Sequence, residues 1–194
     1  MPPSQRRIEK IRKVLALRQP DLTVVMENIH DPHNVSAMFR SCDAVGVLGV
    51  ELLYSVEKFP RIGKKSSSSA NKWMERRRHK SVDECYSLLR GEGFAIYATH
   101  LGESSVSLYD LDLSRKVALV FGNEHRGVSD EAAEKADADF QIPMVGMIQS
   151  LNVSVACAVS LYEVLRQRLA RGELDHSKLS ETQLNDLYDD WIGR

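Results

Sequence analysis

Short runs dense in branched and aromatic residues, spaced by amphipathic stretches, constrain this chain more than any other feature. Residues 22–27 (LTVVME), 50–54 (VELLY), 94–99 (FAIYAT) and 117–121 (VALVF) read as strands, with a brief one at 140–142. Strands this apolar need cover on both faces, which an antiparallel sheet with a wet side does not supply. The segments between them have helical spacing. Ile8, Ile11 and Leu15 recur within residues 4–18, and Val35, Met38, Phe39 and Cys42 follow Asn34 up to Gly46. Ser81 and Glu84 form a capping-box pair for a helix through Leu89. Ser129 caps a short helix, a long one runs over 152–171 to a stop at Gly172, and Ser180 with Gln183 opens a last one reaching Trp191. Strands alternating with helices predict an α/β fold with a mainly parallel sheet and flanking helices. Residues 57–80 carry four consecutive serines and no apolar periodicity, and are expected as a long basic loop.

The 194 residues suit one domain, 1–194, with a basic helix over 1–20 and a helix over 173–194 as extensions. Apolar residues make up 43% of the chain, yet none of the runs nears the roughly 20 residues of a membrane span. The basic N-terminus leads into no apolar h-region, so a cytoplasmic protein with no membrane partner is expected. Cys42, Cys85 and Cys157 are far apart and lack metal-ligand spacing, which reads as reduced, packed thiols. The net charge of −1 conceals a strong asymmetry. Residues 4–18 and 58–80 hold 15 of the 26 Lys and Arg and 2 of the 27 Asp and Glu, so they carry +13 against −14 for the remainder. Such segments are either solvated faces or a footprint for a polyanion.

Ligands of parallel α/β sheets bind beyond the carboxyl ends of the strands. Three polar, Asn- and Gly-bearing loops stand there: NIHDPHN after residue 27, GNEHRG after Phe121 and PMVGMIQSLN after Ile142. Neither G-x-x-x-x-G-K-[ST] nor G-x-G-x-x-G is present. His30, Asp31 and His33 crowd together, but the Asp31-Pro32 turn and the lack of a further partner favour loop residues over metal ligands. Ser150 and His125 lack the elbow of a serine hydrolase. Taken singly, Glu124 reads as a solvated turn residue, and Asn34 and Asn152 as helix caps.

Read together, these loops resemble the SPOUT superfamily, specifically the TrmH-like ribose 2'-O-methyltransferases of tRNA and rRNA. The first motif matches at Asn28, His30, Pro32, His33, Asn34, Ser36, Ala37, Arg40, Cys42, Asp43, Ala44 and Gly46. The second matches at Leu119, Phe121, Gly122, Glu124, Gly127 and Val128, and the third is IPMVGMIQSLNVSVA over 142–156. With a basic N-terminal helix, a C-terminal helix and no extra substrate-binding domain, the chain is most similar to the enzymes that methylate guanosine 18 in the tRNA D-loop. The resemblance implies a C-terminal deep trefoil knot, rare enough that sequence patterns alone would exclude it. It also implies S-adenosylmethionine as cofactor, tRNA as partner, a homodimer, and a motif that needs no metal. Cofactor contacts are implied at Thr99, Gly122, Ile142, Met144, Met147, Leu151 and Val153, largely through backbone, with Gly122 and Gly146 expected to allow close approach.

The resemblance gives Arg40 the central catalytic role near the ribose hydroxyl, with Asn34 beside it and Glu124, Ser150 and Asn152 shaping the site. A guanidinium pKa above about 12 leaves almost no neutral form to act as a base. The expected role is therefore a cation that binds the adjacent phosphate and stabilises a developing alkoxide while water takes the proton. Arg6, Arg7, Arg18, Lys72 and Trp73 are the expected RNA contacts, Trp73 reading equally as a stacking surface or a packing residue. Relatives generally carry T-S-x-G-S-x-x-W before that tryptophan, whereas this chain has SSSSANKW, with Ser69 at the glycine and Ala70 at the serine. A different backbone path, or a strained one, is expected there. On the long helix, Val155, Val159, Tyr162 and Leu165 form the apolar stripe expected to pair two copies. The alternatives are another tRNA or rRNA target, or a non-catalytic RNA-binding protein on the same scaffold, against which the intact set of polar residues argues.

Overall fold

The computed structural model describes residues 3–61, 70–102 and 105–194, so Ser66 to Ser69 of the divergent serine tract lie outside the described residues. In chain order the elements are α1 (Gln5–Ala16), β1 (Gln19–Glu27), α2 (Pro32–Ala44), β2 (Val47–Leu53), β3 (Glu75–His79), α3 (Val82–Gly91), β4 (Ala95–Thr99), β5 (Val106–Ser107), β6 (Val117–Phe121), α4 (Asp130–Glu134), β7 (Ala138–Gln141), α5 (Val153–Ala170) and α6 (Glu181–Gly193). The strands form one sheet in the order β3-β2-β1-β6-β4-β7-β5. Every pair within it is parallel.

Alternate side chains of the central strands feed two cores. Leu22, Val24 and Met26 of β1 and Leu119 and Phe121 of β6 pack with Val35, Met38 and Phe39 of α2 and Leu161 and Val164 of α5. Val25, Ala118 and Val120 point the other way, onto Cys85, Tyr86 and Leu89 of α3 and Ala132 and Ala133 of α4. A third, smaller cluster joins the chain ends, with Ile11 and Leu15 of α1 against Trp191 of α6. Each predicted helix is present, and the caps are the expected residues: Ser81 for α3, Ser129 for α4, Asn152 for α5 and a full Ser180–Gln183 capping box for α6.

The basic segment departs from expectation. Residues 75–79 form the edge strand β3 instead of loop, and Ala70–Lys72 form a single 3-10 turn. The sequence ERRRH hides the strand because an edge position needs no apolar alternation. Arg76 and Arg78 face water, while Arg77 donates to Glu51 Oε1 from Nε at 2.9 Å and to Glu92. Charged side chains on such an edge also discourage further strand pairing. Beneath it Glu51, His79 and Cys85 form a buried cluster of ligand-type groups. Glu51 is already committed, to Arg77 through one oxygen and to His79 Nε2 at 2.6 Å through the other.

Two arginines lock the base of the sheet. Arg168 of α5, 0% exposed, donates to Gln19 Oε1 and Asp21 Oδ1 at 2.8 Å, and to the carbonyls of Asp21, Leu113 and Arg115. Arg18, expected from the sequence to contact RNA, is 1% exposed. It donates to Val47 O at 2.9 Å and Asp43 Oδ1 at 2.5 Å, and its guanidinium carbon lies 5.0 Å from the Trp191 ring centroid. It cannot reach a phosphate without leaving the core, and its role is to join α6 to the turn between α2 and β2. Arg18→Ala should lower unfolding stability by roughly 2–3 kcal/mol in denaturant titration, because a buried carbonyl and Asp43 lose their donors.

Candidate active site

The three polar loops converge at the carboxyl ends of β1, β6 and β7, and their meeting is held by side chains. The turn after β1 starts at Asn28, which takes a left-handed φ of 51°. Its Oδ1 accepts from the amides of Val56 and Glu57, both at 3.1 Å, and its carbonyl accepts from Asn123 Nδ2 at 2.8 Å. Asp31 then caps α2 with Pro32 in the first turn, where a missing N–H costs nothing. Half-buried Tyr54 donates to Ile29 O at 3.0 Å. Desolvation, and then the charge of Glu124, push its hydroxyl up, so it remains a donor.

Glu124 ties the loops together. Its carboxylate accepts from the amides of His30 at 2.9 Å and Asp31 at 3.0 Å and from Asn34 Nδ2 at 2.9 Å. Asn34 Oδ1 in turn accepts from Asn152 Nδ2 at 3.0 Å. Asn152 is thus both the cap of α5, receiving the Ser154 amide at 2.9 Å, and the end of a side-chain relay through Asn34 to Glu124. Burial pushes the Glu124 carboxyl up, but the bonds from Asn34, His30 and Asp31 outweigh it and hold the group below the ordinary glutamate value. Glu124 is a fixed anion, and both of its oxygens already accept hydrogen bonds.

Beside this relay lies a cleft of about 620 Å³. Its apolar wall includes Phe121, Phe140, Ile142, Leu151 and Val153, with Phe121 and Phe140 edge to face at 6.4 Å. Thr99, Gly122, Met144, Ser150, Asn152 and Glu124 also line it. Among the described residues, no backbone group from 142 to 151 takes part in a backbone–backbone hydrogen bond outside the strand. A loop of unpaired N–H and C=O groups over an apolar slot matches an adenine, whose faces are apolar and whose edge carries donors and acceptors.

Six of the seven expected cofactor residues therefore share one cleft. Met147 does not: it is 100% exposed and off the cleft wall, because the loop turns outward between Met144 and Gln149. The need for Gly122 also differs from expectation. A Cβ there would lie 2.1 Å from Gly127 C and Val128 N, so the glycine admits the chain's own returning turn. A Cβ at Gly146 would meet nothing within 4 Å, so that position carries no such constraint. Arg40 lies on α2, exposed and outside the cleft wall, with no hydrogen-bond or ion-pair partner among the described residues. Arg6, Arg7 and Lys72 are exposed, and Trp73 is half-buried against Trp191. Sequence reasoning missed Asn123, which binds Asn28, and Glu27, which is 2% exposed and accepts from the Ser129 amide at 3.0 Å. Asn123 sits inside the GNEHRG loop, where its position between Gly122 and Glu124 was the available signal.

The family model for the SpoU rRNA methylase family matches residues 21–162. The chain is 43% identical over 191 residues to the tRNA (guanosine(18)-2'-O)-methyltransferase of Thermus thermophilus, with 98% of each sequence covered. The crystal structure of a TrmH/SpoU tRNA modifying enzyme from A. aeolicus is similar with a TM-score of 0.91 at 38% identity, over 97% of this chain and 96% of that one. The SpoU methyltransferase AviRb of Streptomyces viridochromogenes, solved in complex with the cofactor AdoMet, has a TM-score of 0.68 at 26% identity, over 81% of this chain and 62% of that one.

Because the folded value of Glu124 lies below the unfolded one, its contribution to stability is present above the ordinary glutamate range and is lost as pH falls through the folded value. Denaturant midpoints measured from pH 6 down to about pH 3 should fall less steeply in Glu124→Gln than in the unsubstituted chain. Parallel curves would mean that the carboxylate does not hold the loops.

Proposed function

This chain belongs to the SpoU rRNA methylase family, and on that premise we propose that the cleft and the relay beside it form a ribose methylation site acting on tRNA. The activity is that of a tRNA (guanosine-18-2'-O)-methyltransferase: a methyl group is transferred to the 2'-hydroxyl of guanosine 18. The observation that carries tRNA over rRNA as substrate is that the likeness to tRNA enzymes runs through both terminal helices, beyond the family core.

S-adenosylmethionine, when bound, supplies an electrophilic methyl group on a sulfonium. The fit rests on the unpaired backbone of 142–151 over the apolar wall, with Thr99, Gly122, Ile142, Met144, Leu151 and Val153 as the holding residues. Methyl transfer is an in-line displacement, so positioning the hydroxyl is most of the protein's task. Glu124, Asn34 and Asn152 fix the mouth of the cleft, and Ser150 stands on its rim. Glu124 accepts three hydrogen bonds and keeps its charge, which makes it a poor proton acceptor. Unpaired Arg40 is free to bind the phosphate next to the target ribose and to stabilise the oxygen as it loses its proton to water. The trefoil knot belongs to the same reading and rests on the family membership, with which the parallel sheet is compatible.

We also propose a homodimer. Val155 and Tyr162 of α5 are 47% and 55% exposed, and Val145, Met147 and Ile148 of the adjoining loop are bare. Val159 and Leu165 of the expected stripe instead pack partly into the core. Large apolar side chains left exposed on a helix and on the loop that precedes it support an association surface. Light scattering at micromolar concentration should give twice the 21.9 kDa of the chain; a monomer would end the dimer proposal. Arg40→Ala should keep fold and cofactor affinity while losing about 100-fold or more in single-turnover methyl transfer. Arg40→Lys should recover little, since lysine lacks the guanidinium fork. Near-normal transfer in the Ala variant would remove Arg40 from the chemistry.

A further inference from the structure

Away from the cleft, a groove of about 530 Å³ runs between α1 and the chain's two tryptophans. Ile11, Val14 and half-buried Trp73 line its apolar part, backed by Trp191, whose ring centroid is 5.0 Å from that of Trp73 at 53°. Arg6, Arg7 and Lys10 stand along its rim, and Arg18 and Asp43, paired with each other, complete the charged lining. The three rim cations have no ion-pair or hydrogen-bond partner for their side chains among the described residues. That distinguishes them from Arg77, Arg90, Arg126, Lys135, Arg166 and Arg168, each of which is paired.

We propose that this groove is a nucleotide subsite for the RNA substrate, taking one unpaired base against Trp73 while Arg6, Arg7 and Lys10 hold the flanking phosphates. The inference rests on the tRNA reading above and adds to it a place where the RNA is gripped outside the methylation site. An aromatic face beside unpaired cations suits an unstacked nucleotide, because the base supplies a π surface and its phosphates supply the counter-charge. The volume lies within the range of a small-ligand pocket. A second copy of this chain is the poorer occupant. Its own Arg6, Arg7 and Lys10 would face like charge across the contact, and the bare apolar patch lies elsewhere, on α5 and the 145–148 loop.

Both tryptophans of the chain stand at this groove, so tryptophan emission reports on it and on the packing of α1 against α6. Full-length protein is titrated with an unmodified tRNA transcript, binding being followed separately by filter retention, and with sodium tripolyphosphate as an anion lacking a base. Saturable emission change with tRNA, absent with tripolyphosphate, is expected. Trp73→Ala should weaken tRNA binding by about 5- to 100-fold, with Trp73→Phe recovering most of it. Cofactor affinity should be unchanged in both. Arg6→Ala with Arg7→Ala should flatten the slope of log affinity against log salt by about 2, whereas Trp73→Phe should leave the slope alone. Unchanged emission on tRNA binding, tRNA affinity of Trp73→Ala within twofold of the unsubstituted chain, or a shift in oligomeric mass on substitution of Trp73 would each overturn the subsite. Methyl transfer from labelled cofactor separates the two readings. Transfer without the emission change overturns the groove alone, and an emission change without transfer overturns the catalytic reading and leaves the groove standing.

Discussion

The carboxylate of Glu124 is the point on which the functional end of this molecule depends. It belongs to the loop after β6, yet its bonds go to the amides of His30 and Asp31 and to Asn34, ninety or more residues earlier in the chain. Through Asn34 it reaches Asn152 at the head of α5. Loops at the carboxyl ends of parallel strands have no ladder to hold them. Here three of them are fixed by one anion and two amides, and the cleft takes its shape from that tie. The 142–151 loop itself makes no backbone–backbone hydrogen bond outside the strand among the described residues and stands mostly exposed, so its N–H and C=O groups remain available beside the cleft.

Much of this is legible in the sequence. The central strands β1, β2, β4 and β6 are visible because burial on both faces demands runs such as VALVF, and the helix caps because Ser and Asn compete for the first-turn amides. What is hidden lies where charge replaces hydrophobicity. β3 is invisible because its arginines are solvated or paired with Glu51 and Glu92, which no periodicity records. Arg18 misleads for the same reason. A basic residue at the end of a basic helix looks like its neighbours until the fold shows that Asp43, Val47 O and the Trp191 ring surround it.

The candidate site divides in a similar way. Motif resemblance locates the cleft, but residue-level roles follow from geometry. Asn34 and Asn152 both read singly as helix caps. The cap of α2 is Asp31, and Asn34 is the middle of the relay. Gly122 reads as room for a ligand, and proves to be room for Gly127 and Val128. Sequence spacing cannot tell these apart, since each residue type suits either job, and only the through-space partner decides.

The two ends of the sheet are held by different means. At the amino ends of β1 and β6, Arg168 is wholly buried and bonds three backbone carbonyls, so no water competes for it. At the carboxyl ends the ties are side chains on half-exposed loops. Local opening follows burial and contact, and so the molecule should breathe from one end only. In amide hydrogen exchange this becomes a gradient running along each central strand: slow at the arginine lock, fast at the mouth of the cleft. The chain can then admit a folded RNA at its working end without loosening the core beneath it.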